Sequence, residues 1–178
     1  KYIKNIKMWL WKGDPLAKTV FNILDISAVP LAINDVYTSL QTGLIDGVYI
    51  SPYGSMALQW FTKTNYIMDY PLTYSIGAVL INKEKLNSIP EKERQILINE
   101  TQSSMQKIVQ KSREDNKETL KIIKNNGMEM VAITEEAKQL YMEAGIETRQ
   151  KLAGNLYSEE ILNRVLNLLE EYRSHNYK

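Results

Sequence analysis

Ile6-Lys7-Met8-Trp9-Leu10-Trp11-Lys12-Gly13-Asp14-Pro15 passes from a strand to a helix start within ten residues. The apolar and aromatic run, which extends back to Ile3, suits a pleated and half-buried segment. Asp14 can cap a helix and Pro15 fits its first turn. Leu16, Val20 and Leu24 then recur at helical spacing. Ala28–Ile33 is a second apolar run. Asn34 is predicted to cap a helix carrying Val36, Tyr37 and Leu40, which Gly43 ends. Asp46-Gly47 turns into a third predicted strand, Val48–Ser51, and Pro52-Tyr53-Gly54 leads into a helix over Ser55–Thr62. Alternating strands and helices with short connections imply an α/β fold with a parallel sheet and right-handed crossovers. In such sheets a ligand sits beyond the carboxyl ends of the strands. Here those ends are Trp11-Lys12-Gly13, Ile33-Asn34 and Ser51-Pro52-Tyr53.

Downstream, Tyr66–Asn82 is rich in Tyr, Ile, Val, Leu and Thr and reads as one or two extended segments. Ser88-Ile89-Pro90-Glu91 has the Ser/Glu spacing of a capping box. A helical pattern then runs to Gly127, predicting a helix about 50 Å long at the usual rise per residue. Its middle, Gln110–Glu118, is polar all round, the profile of a helix bridging two packed bodies. Met128–Ile133 is a short strand. Thr134 and Ser158 are placed to cap two final helices.

The chain has 178 residues, long enough for a domain with a real core. Its 22 Lys and Arg nearly balance 21 Asp and Glu, so no global field favours nucleic acid. No cysteine is present, which removes disulfides, thiolate nucleophiles and cysteine-based metal sites. No apolar run approaches 18 residues, so nothing in the sequence reads as membrane-spanning. The sequence does not open on Met and shows no signal peptide, and it reads as a piece of a longer protein. The single histidine, His175, stands in a polar tail, without the support that catalysis or metal binding needs. The acidic pairs lie at helix starts or on polar faces. No phosphate-loop spacing and no Gly-x-Ser-x-Gly occurs. The expectation is a chain without cofactor or metal, and not an enzyme.

Candidate contacts follow from the strand tips. Trp9 and Trp11 share one strand face, as pocket wall or as packing. Lys12, Asn34, Ser51 and Tyr53 stand at the predicted crevice, and Tyr74 flanks it.

Val29-Pro30-Leu31 and Asp35-Val36-Tyr37-Thr38-Ser39-Leu40-Gln41-Thr42-Gly43-Leu44-Ile45-Asp46-Gly47 resemble TRAP-transporter solute-binding proteins, the dicarboxylate-binding-like family. Pro52, Val79–Asn82 and the Ile89-Pro90 helix start follow in the family's order, so the resemblance covers nearly the whole chain. It implies a type II periplasmic-binding-protein-like lobe with a parallel-sheet core, a long bracing helix and C-terminal helices. Residues 1–82 would be the ligand-binding lobe, 83–127 the interlobe helix region and 128–178 a short strand with C-terminal helices. The amino-terminal lobe would lie outside this chain. The implied partners are a small-molecule ligand and TRAP membrane subunits, in the periplasm or another extracytoplasmic space, with the parent protein free or lipid-anchored. A ligand-sensing module of similar fold in a signalling system is the alternative.

The resemblance also implies a carboxylate-clamping arginine where this chain has Trp9, and an asparagine where it has Ser51; no arginine precedes Arg94. Either Lys12 supplies a point charge instead, or the ligand is not a simple carboxylate and meets an aromatic pocket of Trp9, Trp11 and Tyr53. The second is the expectation here. Asp35, Tyr37, Gln41 and Asp46 read as structural members of the motif.

Overall fold

A computed structural model describes residues 5–176, so Ile3 and Lys4 of the first predicted strand lie outside the described residues. The chain divides into two compact units, one formed by Lys1–Tyr49 with Ile133–Lys178 and the other by Ile50–Ala132.

In the first unit, β1 (Met8–Trp11) pairs in parallel with β2 (Ala28–Leu31), in a register that sets Met8 beside Ala28 and Trp11 beside Leu31. Helix α1 (Pro15–Ile23) joins them, with Asp14 accepting from the Ala17 amide and Pro15 in the first turn, as its sequence predicts. Leu10, Ala17, Phe21, Leu24 and Ile26 form a core with Ala144 of α6 (Glu135–Leu152). Thr134 Oγ accepts from Ala137 N at the start of α6. Ser158 Oγ likewise accepts from Ile161 N at the start of α7 (Glu159–Asn176), so both predicted caps form.

Two local expectations are corrected here. Asn34 does not cap the helix after β2: it lies inside a 3-10 turn, Ile33–Asp35, and α2 (Val36–Thr42) follows directly. The tighter turn reorients the chain before the first α-helical hydrogen bonds close. Gly43 ends α2 at a φ of 72°, a left-handed conformation that glycine adopts without a Cβ penalty. The predicted third strand, Val48–Ser51, does not form. One parallel bridge joins Met8 to Gly47, and Trp9 N–H donates to Gly47 O at 2.8 Å. The ladder stops there because Trp11 N–H, two residues further along β1, donates to the Tyr49 side-chain hydroxyl.

In the second unit, α3 (Pro52–Ala57) packs on α5 (Glu91–Asn125). A 3-10 turn, Trp60–Lys63, follows α3 instead of a continuous helix to Thr62, because Gln59 turns to a φ of 58°. Strand β3 (Tyr66–Met68) pairs in parallel with β4 (Glu129–Val131). Trp60 and Ile123 are each 1% exposed and anchor this unit's interior. At 35 residues, α5 is about 52 Å long, close to the length its periodicity predicts. Its start differs from the predicted capping box. Asn82 Oδ1 accepts from Lys85 N and starts an extra short helix, α4 (Lys83–Asn87). Ser88 closes α4, its hydroxyl donating to Lys85 O, and Pro90, two residues later, stands at the N-cap of α5, which has no side-chain cap.

Candidate functional site

The carboxyl ends of β1 and β2 lie at one end of the parallel pair, where the registered partners Trp11 and Leu31 stand. Trp11 is 55% exposed, and Lys12 beside it is exposed, its amide donating to Leu31 O at 3.4 Å. Asn34 is exposed in the turn that follows β2. The fold therefore brings Trp11, Lys12 and Asn34 to the tips of one strand pair, in a position suited to a ligand.

Trp9 is different. It is 3% exposed, and its indole N–H donates to Leu31 O at 3.1 Å. Its ring stacks on Tyr49 with centroids 5.2 Å apart. Trp9 thus backs the tip from inside.

Sequence reasoning missed Tyr49. Its ring lies between Trp9 and the edge of Phe21, 5.7 Å away at 90°. Its hydroxyl accepts from Trp11 N–H and donates to Asp14 Oδ2, both at 3.1 Å. Burial pushes the phenol up to about 12, and the Asp14 carboxylate adds to the rise, while the hydrogen bond from the Trp11 backbone opposes it. Tyr49 therefore stays protonated and ties the end of β1 to the start of α1. The signal was present: its spacing of two from Gly47 puts it opposite the end of β1.

The opposite end of β1 is held by the Gly43–Gly47 loop. Lys7 N–H donates to Asp46 Oδ2 at 2.9 Å, and Lys7 Nζ donates to Gly43 O at 2.7 Å. A Cβ on Gly47 would lie 2.5 Å from Met8 Sδ and 3.2 Å from Ile6 Cγ2, so a side chain there would force the Met8 thioether to move. Asp46 is structural, as read from the motif.

The second unit holds the remaining candidates. Ser51 caps α3, its Oγ accepting from Gly54 N at 3.1 Å. Tyr53 is 52% exposed, and its backbone N–H donates to Asn116 Oδ1 of α5 at 3.0 Å, which fixes the first turn of α3. Tyr74 stands almost fully in solvent. A concavity of about 260 Å³ in this unit, lined by Phe61, Asn65, Ile123 and Met128 among others, contains none of the candidate contacts. Among the described residues no His/Asp/Glu cluster could hold a metal ion, and no helix is long and apolar enough to cross a membrane.

Parallel α/β units with exposed strand tips commonly bind small molecules at those tips. The sequence profile of the bacterial extracellular solute-binding protein family 7 matches residues 4–155. The chain belongs to that family. A comparison with curated protein sequences finds no match.

Solved structures share the fold. A TRAP periplasmic solute-binding protein from Desulfovibrio salexigens with bound orotic acid has a TM-score of 0.74 at 17% identity, covering 96% of this chain and 54% of its own. One from Ochrobactrum anthropi, with its C-terminus bound in the ligand-binding pocket, has a TM-score of 0.73 at 21% identity, covering 96% and 53%. One from Shewanella oneidensis with bound succinate has a TM-score of 0.70 at 18% identity, covering 83% and 48%. The chain spans about half the length of these proteins. The fold is of the periplasmic-binding-protein kind, as the motif implied.

Proposed function

We propose that this chain is the carboxyl-terminal portion of a solute-binding receptor that captures a small molecule outside the cytoplasm. The receptor closes its lobes on the ligand and hands it to TRAP-type membrane subunits. No bond is made or broken. The observation that carries this reading is the family match over residues 4–155. Along the chain, residues 1–82 serve ligand binding, 83–127 form the bracing helix region and 128–178 the closing strand and helices, with the amino-terminal lobe supplied by the rest of the receptor.

In the first unit the proposed contacts are Trp11, Lys12 and Asn34, with Trp9 as the rigid backing of Trp11. In the second unit they are Ser51, Tyr53 and, at the periphery, Tyr74. Orotic acid and succinate, the molecules bound by the two neighbours above, are organic acids. This chain has no arginine before Arg94 to make a bidentate carboxylate contact, and Trp9 spends its indole N–H on Leu31. Lys12 is a point charge on a flexible stem. These features support a ligand bound chiefly through aromatic and neutral polar contacts.

Native mass spectrometry of the receptor purified from its host tests both parts. A retained small molecule without a carboxylate is expected. A tightly held C4-dicarboxylate would overturn the ligand class and leave the receptor role standing; failure to retain or bind any solute would overturn the role.

A further inference from the structure

Helix α7 (Glu159–Asn176) carries two apolar stripes, and its own unit uses only one of them. Leu162, Leu166 and Leu169 recur along one side and are half-buried, and Leu166 and Leu169 line a concavity with Arg149 of α6. About 100° round the helix, Ile161, Val165, Leu168 and Tyr172 recur at spacings of four, three and four. They are 57%, 55%, 55% and 59% exposed, so no element among the described residues covers this stripe. Such a spacing is the seam of a two-helix coiled coil, in which each side chain enters a hole in a facing helix.

The polar flank of the seam identifies the facing helix. Arg164 and Glu171 stand one heptad apart along that flank, and both are exposed. The opposite flank holds Leu162 and Leu169, which turn towards the chain's own unit. In a parallel pair, Arg164 and Glu171 would meet that leucine flank of the other helix. In an antiparallel pair the two polar flanks meet. With Val165 opposite Leu168 and Ile161 opposite Tyr172, Arg164 of each copy then comes to Glu171 of the other. A single twofold axis thus sets the same patch against itself, apolar on apolar, with opposite charges paired twice.

We propose that α7 is a dimerisation surface that packs antiparallel on α7 of a second copy through Ile161, Val165, Leu168 and Tyr172, with Arg164 and Glu171 fixing the register. The helix has 18 residues and is about 27 Å long, so the pair alone buries less than the roughly 800 Å² per partner of a standard interface. The dimer is accordingly weak and dissociates on dilution. Helix α7 lies beyond the family match over residues 4–155, and the proposal needs neither a ligand nor a membrane subunit.

Sedimentation equilibrium of the full-length protein containing this chain, from about 1 μM to about 1 mM, brackets the dissociation constants of weak interfaces. The mass is expected to rise from one copy to two across that range, and the mass of one copy throughout would overturn the proposal. Val165→Glu places a charge in the middle of the seam and is expected to hold the protein as one copy. Asn163→Glu, on the far side of α7, should dimerise like the parent. A dimer that Val165→Glu left intact would lie elsewhere on the protein and overturn the assigned face. Arg164→Glu and Glu171→Arg each set like charges together at two symmetric places and should weaken the dimer roughly tenfold, and the two combined should recover most of that loss. A double variant as weak as the single ones would overturn the antiparallel register. Because these side chains are exposed, the folded monomer is expected to keep its thermal midpoint in every variant.

Discussion

Replacing Tyr49 by Phe isolates what its hydroxyl contributes. The phenyl ring keeps the stack on Trp9 and the edge contact with Phe21, so packing is nearly conserved. Two hydrogen bonds are lost, one from Trp11 N–H and one to Asp14 Oδ2. A neutral bond contributes about 1 kcal/mol, and one to a carboxylate about 1.5–3 kcal/mol. Trp11 is exposed and Asp14 half-buried, so water recovers part of both, leaving a net loss of about 1–2 kcal/mol. For a chain of this size that lowers Tm by roughly 2–8 °C. Asp14 Oδ1 still accepts from Ala17 N, so the cap of α1 survives. Urea unfolding reads the stability, and amide exchange at Trp11 reads the local tie. Tyr49→Phe should speed exchange of the Trp11 amide well beyond the global change. Tyr49→Ala, which also removes the ring, should cost more, about 3–5 kcal/mol by analogy with other aromatic deletions. If Tyr49→Phe matched the parent in both stability and Trp11 exchange, the hydroxyl would have no part in ordering the strand tip.

The same phenol sets an alkaline limit. Its pKa is raised from 10.0 to about 12 in the folded chain, so its contribution is complete below pH 10 and is lost as pH rises towards 12. Stability of the parent should fall more steeply across that window than stability of Tyr49→Phe, as followed by urea midpoints at each pH. Gly47→Ala would drive a Cβ to within 2.5 Å of Met8 Sδ, and the shift this forces should destabilise the chain by about 1–3 kcal/mol in the same assay. Ile123→Ala removes a side chain that is 1% exposed and should cost about 2–5 kcal/mol, lowering Tm in calorimetry without moving Trp11 exchange relative to the global change.

The sequence made the first unit legible where local rules decide structure. Asp14-Pro15 and Thr134 start helices as their chemistry dictates, and Gly43 ends one. Reading failed where a tertiary contact outranked the local pattern. Val48–Ser51 has strand composition, but the Tyr49 hydroxyl takes the Trp11 amide that a third strand's carbonyl would otherwise receive. Ser88 has the spacing of a capping box, but it ends the short helix that Asn82 begins, and Pro90 stands at the N-cap of α5. The strand tips could be located by topology alone, and Trp11, Lys12 and Asn34 follow from it. The spacing of Tyr49 from Gly47 places it opposite the end of β1, but its hydroxyl's reach to both Trp11 and Asp14 appears only in the fold.

These contacts separate the residues that order the strand tip from those exposed at it. The stretch from Gly43 to Tyr49 acts as a clasp along β1. Its first part grips Lys7 through Gly43 O and the Asp46 carboxylate, its middle meets Trp9 through Gly47 O, and its end reaches Trp11 and Asp14 through Tyr49. Order at the strand tip is thus imposed from the side by residues that need touch no ligand. The exposed side chains at the tip, Lys12 and Asn34, can therefore change without loosening this frame. The order of this frame is carried by Asp46, Gly47 and Tyr49, whereas the exposed tip residues Lys12 and Asn34 take little part in it. Substitutions at Lys12 or Asn34 should therefore alter ligand affinity at nearly constant stability, whereas those at Asp46, Gly47 or Tyr49 should lower stability first.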